Sequence, residues 1–161
     1  MDSKFVKAEE LGIRLEIVGN LPIWETSPAY KHQKAVDRIR ATLHPPAPNE
    51  SGCDCIHVAD VYVQFPDGSL KRPDISIFCR EPSEEEEAIK LIPEAVIEVI
   101  SKSYEAKDME LAPPFYLAQG VKDLVVFNPY TMDVFHFTSE GRKELRSPVP
   151  IEFACGCRCV V

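Results

Sequence analysis

The sequence predicts an α/β domain, on three observations. First, Glu94-Ala95-Val96-Ile97-Glu98-Val99-Ile100-Ser101 is apolar on both faces: Ala95, Ile97 and Val99 alternate with Val96, Glu98 and Ile100. Such a run is an interior strand with cover above and below. Second, residues 28–43 carry Val36, Ile39 and Leu43 on one helical stripe, the kind of element that gives cover. Third, turn signals at Gly19-Asn20, Pro66-Asp67-Gly68-Ser69 and Pro129-Tyr130 punctuate short alternating segments.

Taken in order, Ser3 caps a short helix over residues 3–11, which Gly12 ends. Residues 13–18 and 21–26 alternate as a hairpin about Gly19-Asn20. Glu16 lies opposite Ile13, Leu15 and Ile17, which by itself marks a solvated strand residue. Ser27 as N-cap and Pro28 at the first helical position start a helix running from 28 to about 43. His32 stands one turn before Val36, where a core-edge histidine is the plain expectation. Lys31, Lys34, Arg38 and Arg40 make that helix locally basic. The prolines and glycine of residues 44–52 force a loop. Residues 55–65 form a strand, with a bulge near Ala59-Asp60 where the apolar register shifts. The turn at 66–69 returns the chain antiparallel into Pro73-Asp74-Ile75-Ser76-Ile77-Phe78-Cys79. Glu84-Glu85-Glu86-Glu87 belongs to a solvated loop or short helix. Residues 101–111 are helical and break at Pro113-Pro114; residues 115–119 form a second short helix that Gly120 closes. Residues 123–128 are another buried strand, 132–138 alternate with His136 on the surface, and 143–145 add an edge strand.

The two apolar runs each hold an acid where a strand interior disfavours one. An ionised Glu98 between Val96 and Ile100 is costly unless a cation, a metal or several donors meet it. Asp74 and Ser76 share one face of their strand, so Asp74 and Glu98 converge if the strands are neighbours. Two carboxylates beside a sheet suit a hard divalent cation such as magnesium or manganese.

The 161 residues fit one domain, residues 1–161, with a cysteine-rich tail from about 147. A formal net charge of −8 argues against nucleic-acid binding over the whole surface, while leaving room for a local basic path. No apolar run reaches a membrane span, and the first twenty residues hold no signal peptide, so a cytoplasmic location with reduced thiols is expected.

The order of pieces is itself informative. Glu16 in a hairpin, His32 on a helix, Pro73-Asp74-Ile75, Val96-Ile97-Glu98-Val99-Ile100-Ser101, Asp108, Tyr116-Leu117-Ala118-Gln119-Gly120-Val121 and Val125-Val126-Phe127-Asn128-Pro129 follow one another. Together they resemble the Uma2 family of restriction endonucleases, within the PD-(D/E)XK nuclease superfamily, over roughly residues 5–138. The resemblance implies a restriction-endonuclease-like fold: a central mixed sheet flanked by helices, with an N-terminal β-hairpin. It implies a Mg2+ or Mn2+ site on Asp74 and Glu98, to which the coordination chemistry of such an ion would add a backbone carbonyl, that of Val99, as a third oxygen ligand. It also brings Glu16 and His32 into the site. A lysine two residues after the glutamate is replaced by Ile100, and the family's helix lysine by Ala112, so Lys107 is the expected substitute. The implied activity is metal-dependent hydrolysis of DNA phosphodiester bonds by a homodimer, impaired by the missing lysine. The alternative is an inactive nucleic-acid-binding or regulatory protein on the same scaffold.

Cys155, Cys157 and Cys159 alternate, as do Cys53 and Cys55. A thiolate site for zinc or copper joining tail and loop stands against a simple edge strand of small apolar residues. The spacing is not that of a standard zinc knuckle, which favours the edge strand.

Overall fold

A computed structural model gives the fold and describes residues 3–25, 29–50, 52–83, 87–102 and 105–161. The elements run α1 (Ser3–Glu10), β1 (Arg14–Val18), β2 (Leu21–Glu25), α2 (Tyr30–Thr42), β3 (Ile56–Val58), β4 (Val63–Gln64), β5 (Leu70–Lys71), β6 (Ile75–Phe78) and β7 (Ala95–Val99). A π-helical turn (Lys107–Leu111) then leads into α3 (Ala112–Ala118). The chain ends with β8 (Asp123–Phe127), β9 (Asp133–Thr138), β10 (Gly141–Arg146), β11 (Pro150–Glu152) and β12 (Arg158–Val160).

The central sheet has the order β10-β9-β8-β7-β6-β3. Its pairings are antiparallel except β7 with β8, so the sheet is mixed. A smaller sheet, β2-β1-β5-β4, stands beside it, and β11 pairs with β12 as a separate hairpin. The mixed α/β architecture with its N-terminal hairpin is the predicted one. Among the described residues no helix is long and apolar enough to cross a membrane.

The interior strand β7 explains the layering. Ala95, Ile97 and Val99 pack with Ala35, Val36 and Ile39 of α2 and with Ile151, Phe153 and Val161 of the terminal hairpin. On the other face Val96 and Ile100 pack with Ala112, Phe115 and Tyr116. Each fully buried large aliphatic contributes roughly 1.5–3 kcal/mol, which makes β7 the element the fold is least able to lose.

Local rules fail in three places. Residues 55–65 are not one bulged strand: β3 joins the central sheet and β4 the smaller one. The chain changes sheets at Asp60, which holds a φ of 61° and accepts a hydrogen bond from Arg72 Nε at 3.0 Å. Pro113-Pro114 does not break the helix. The preceding turn widens to π geometry, with the Ala112 N–H on the Lys107 carbonyl, and the prolines fall in the first turn of α3 where no donor is needed. The edge strand β10 is longer than predicted, because it pairs with β9 from Gly141 opposite Thr138 to Arg146 opposite Asp133. The predicted cap Ser27-Pro28 and Glu84-Glu85-Glu86 lie outside the described residues.

The tail is a hairpin, and its strand β12, paired only with β11, buries Cys157 and Cys159 in the core against α2 and β7. Cys53 is joined to Cys79 and Cys55 to Cys157, where the sequence reading expected reduced thiols.

Candidate active site

Strand pairing brings the two acids together. The register that sets Ile75 opposite Ile97 puts Asp74 opposite Glu98, one step further along β6 and β7. Both then face the α3 side of the sheet. The Asp74 N–H donates to Glu98 Oε2 at 3.2 Å, and the Val99 N–H donates to Asp74 Oδ2 at 2.7 Å. Each carboxylate is therefore held by backbone of the neighbouring strand. Val99 joins the cluster through that N–H.

The surrounding elements complete the cluster. From α2, His32 Nε2 meets Asp74 Oδ2 at 3.1 Å. From α3, the Tyr116 hydroxyl donates to Glu98 Oε1 at 2.6 Å. From β1, Glu16 accepts the Arg72 N–H on Oε1 at 2.7 Å. Its Oε2 lies 3.5 Å from Lys71 Nζ and 3.6 Å from Lys107 Nζ. Lys107 Nζ is also 3.9 Å from Asp108 Oδ1. Thus Asp74, Glu98, Glu16, His32 and Lys107, singled out from the sequence, all reach one place.

Lys71 is the residue that sequence reasoning missed. It is 1% exposed and stands opposite Glu16, because β5 pairs with β1 through Leu70 and Ile17. Its ammonium lies 4.8 Å from the centroid of the Tyr116 ring, a favourable cation–π contact in a desolvated site. The available signal was weak: a lysine three residues before Asp74, at the end of a hairpin.

The electrostatics follow from this crowding. Burial, then the charges of Asp74 and Asp108, push the Glu98 carboxyl well above its ordinary value. Burial pushes Asp108 up to about 7 despite Lys107 beside it. Burial would also raise Glu16, but Lys71 and Lys107 outweigh it and hold that carboxyl low. Burial would lower His32, but the hydrogen bond and charge of Asp74 raise it. Burial and the adjacent Glu98 keep the Tyr116 phenol protonated far above its usual range.

Buried Glu16 Oε2 and Asp108 Oδ1 are met at ion-pair distance by Lys71 and Lys107, 3.5–3.9 Å away, rather than by close hydrogen bonds. Buried acids massed this closely, with lone pairs left over, fit a divalent cation held through oxygen.

The Uma2 family model, described as "Putative restriction endonuclease", matches residues 3–153. The chain belongs to this family. No curated protein matches it. Among solved structures, it is similar to a "putative nuclease belonging to DUF820" from Anabaena variabilis ATCC 29413, at 20% identity and a TM-score of 0.66. The alignment covers 85% of this chain and 80% of that one, and it supports the fold.

At position 112, where the resemblance implies a lysine, Ala112 is fully buried in the apolar cluster with Phe115 and Tyr116. Positive charge enters the site from β5 and the π turn instead. Lys71→Met is expected to cost about 3–5 kcal/mol of stability, since Glu16, Glu98 and Asp108 stay behind without its ammonium. Urea unfolding at pH 7 measures it. A loss below about 1 kcal/mol would show that the acids do not depend on this cation.

Proposed function

We propose that the protein is a DNA endonuclease that depends on a divalent cation, Mg2+ or Mn2+, with Asp74, Glu98 and the Val99 carbonyl as its protein ligands. One observation carries the reading: Asp74 and Glu98 interlock across β6 and β7 on one face of the sheet, inside a cluster with acceptor atoms to spare. The family to which the chain belongs supports the same substrate class.

When bound, the cation would lower the pKa of a water and neutralise charge on the scissile phosphate. The remaining work falls to the side chains. His32 orients Asp74, and Tyr116 orients Glu98, so neither acid depends on solvent for its position. Glu16 is kept ionised by Lys71 and Lys107 and holds both ammoniums beside the cluster. Lys107, the more exposed of the two lysines, faces the incoming phosphate; Lys71 balances the acids from beneath. Lys31, Lys34 and Arg38, exposed on α2, give the local basic path. A two-fold dimer would set one such site on each strand of a duplex.

Ala112 favours a second reading, a DNA-binding or regulatory protein with a silent site. Incubation of supercoiled plasmid with Mg2+ or Mn2+ separates the two. The expected result is nicked and linear product that disappears on chelation. Manganese binding at the site, measured by calorimetry, with no product would favour the second reading.

A further inference from the structure

The cysteines take no part in the acidic cluster. Cys53 and Cys55 lie in the segment leading to β3, Cys79 follows β6, and Cys155 and Cys157 flank Gly156 between β11 and β12. Three stretches of chain far apart in sequence thus bring sulfur to one place. The sulfurs of Cys53, Cys79 and Cys155 lie within 4.8 Å of one another. The Cys157 sulfur is 3.7 Å from that of Cys53. Cys55 holds a φ of 52° and Gly156 a φ of 95°, so the backbone is left-handed between Cys53 and β3 and between Cys155 and Cys157. For Cys55 that conformation is unfavourable, and it persists only where surroundings dictate it.

We propose that in the reduced chain Cys53, Cys79, Cys155 and Cys157 bind one Zn2+ as a structural tetrathiolate centre. In a tetrahedral site with Zn–S bonds of about 2.3 Å, the sulfurs stand about 3.8 Å apart. The Cys53–Cys157 separation of 3.7 Å is such an edge. Cys53, Cys79 and Cys155 need shifts of about an ångström to become a face of the same tetrahedron, and Cys157, near Cys53 but beyond 4.8 Å from Cys79 or Cys155, must swing further once its bond to Cys55 is reduced. A disulfide brings sulfurs together in pairs. Convergence of three or more on one point is the geometry of a shared ion. No carboxylate or imidazole among the described residues enters the group, and an all-sulfur tetrahedral set selects a soft or borderline metal, zinc first.

The disulfides are the oxidised form of this centre. Each takes two electrons and two protons from a dithiol reductant, giving the thiols of Cys53, Cys79, Cys55 and Cys157. Zn2+ then displaces the thiol protons of its four ligands, and Cys55 keeps its own. The ion would tie the terminal hairpin to the ends of β3 and β6, on the face of the sheet away from the acidic cluster. The proposal does not rest on the endonuclease reading.

The test uses the whole chain, purified with a thiol reductant and without chelator. Elemental analysis is expected to give about one zinc per chain, released by a thiol-modifying mercurial. Replacement by Co2+ is expected to give the sulfur-to-cobalt charge-transfer band and the intense visible bands of a tetrahedral thiolate site. Removing zinc is expected to lower Tm by about 10 °C or more. Cys155→Ser loses most of the metal; Cys159→Ser, buried apart from the group, keeps it. A zinc-free protein under these conditions, or full zinc in Cys155→Ser, would overturn the proposal. Wild-type metal content and the cobalt spectrum decide the matter even where a variant fails to fold.

Discussion

Glu98→Gln is expected to remove cleavage activity and to raise the melting temperature. The two effects have one cause. Glu98 is 2% exposed and shares its surroundings with Asp74 and Asp108, so in the metal-free protein its charge is opposed by burial and by its neighbours. A neutral amide escapes that opposition, and it keeps an oxygen to accept the Tyr116 hydroxyl. It does place an NH2 group or weaker acceptor near the Asp74 N–H, a loss of about 1 kcal/mol that offsets part of the gain. The net expectation is a stabilisation of about 1–2 kcal/mol, read as roughly 3–6 °C at pH 8. Activity should fall at least about a hundredfold, because the amide cannot offer a charged oxygen to the cation. Opposite signs are what distinguish a functional acid from a structural one. Asp74→Asn should lose activity as well, but without the stabilisation, since Asp74 already accepts the Val99 N–H and His32. A Glu98→Gln protein that melts lower than wild type, or that still cuts at the wild-type rate, would remove Glu98 from the site.

The legibility of Glu98 and Lys71 differs for a physical reason. Glu98 interrupts an apolar alternation, so its anomaly is visible within eight residues of sequence. Asp74 is visible in the same way, and the pairing of β6 with β7 needed only the assumption that the strands are neighbours. Lys71 follows a turn and precedes an arginine, where a lysine is unremarked. Its burial comes from the pairing of β5 with β1, a contact between residues 17 and 70, and from the Phe115 and Tyr116 rings of α3, none of which local periodicity encodes. The same distinction runs through the fold. The helix α2 and the interior strands β6, β7 and β8 follow from spacing alone. The transfer of the chain between sheets at Asp60, and the π turn that accommodates Pro113-Pro114, depend on what lies across from them. The family resemblance supplied what spacing did not: that Glu16 and His32, each most simply read as an ordinary surface or core-edge residue, turn toward the acids.

Metal-free protein is expected to be most stable near pH 5 and to weaken steadily toward pH 8. Asp108 is pushed from 3.8 to about 7 by burial, so the folded chain holds that proton where the unfolded chain has released it. Between those values the folded state binds more protons, and stability falls as pH rises. Glu98, raised well above 4.5, acts in the same direction from that pH upward. His32, raised above 6.5, contributes stability that is complete below 6.5 and disappears as pH climbs through its folded value. Glu16 and His57 run the other way: Glu16's lowered value contributes stability above 4.5 that is lost on acidification, and His57, lowered by burial and by Arg40, weakens the fold as pH falls below 6.5. Asp108 by itself accounts for a slope summing to on the order of 4 kcal/mol between pH 4 and 8. Asp108→Asn should therefore flatten the curve, and most of its gain should appear at the alkaline end. A divalent cation does the same by another route. It favours the ionised acids, so Mn2+ should raise Tm far more at pH 8 than at pH 5 and should release protons on binding, measurable as a buffer-dependent heat in calorimetry. A stability that is level or rising from pH 5 to 8, with no proton release on adding Mn2+, would mean that these acids are not held protonated in wait for a cation.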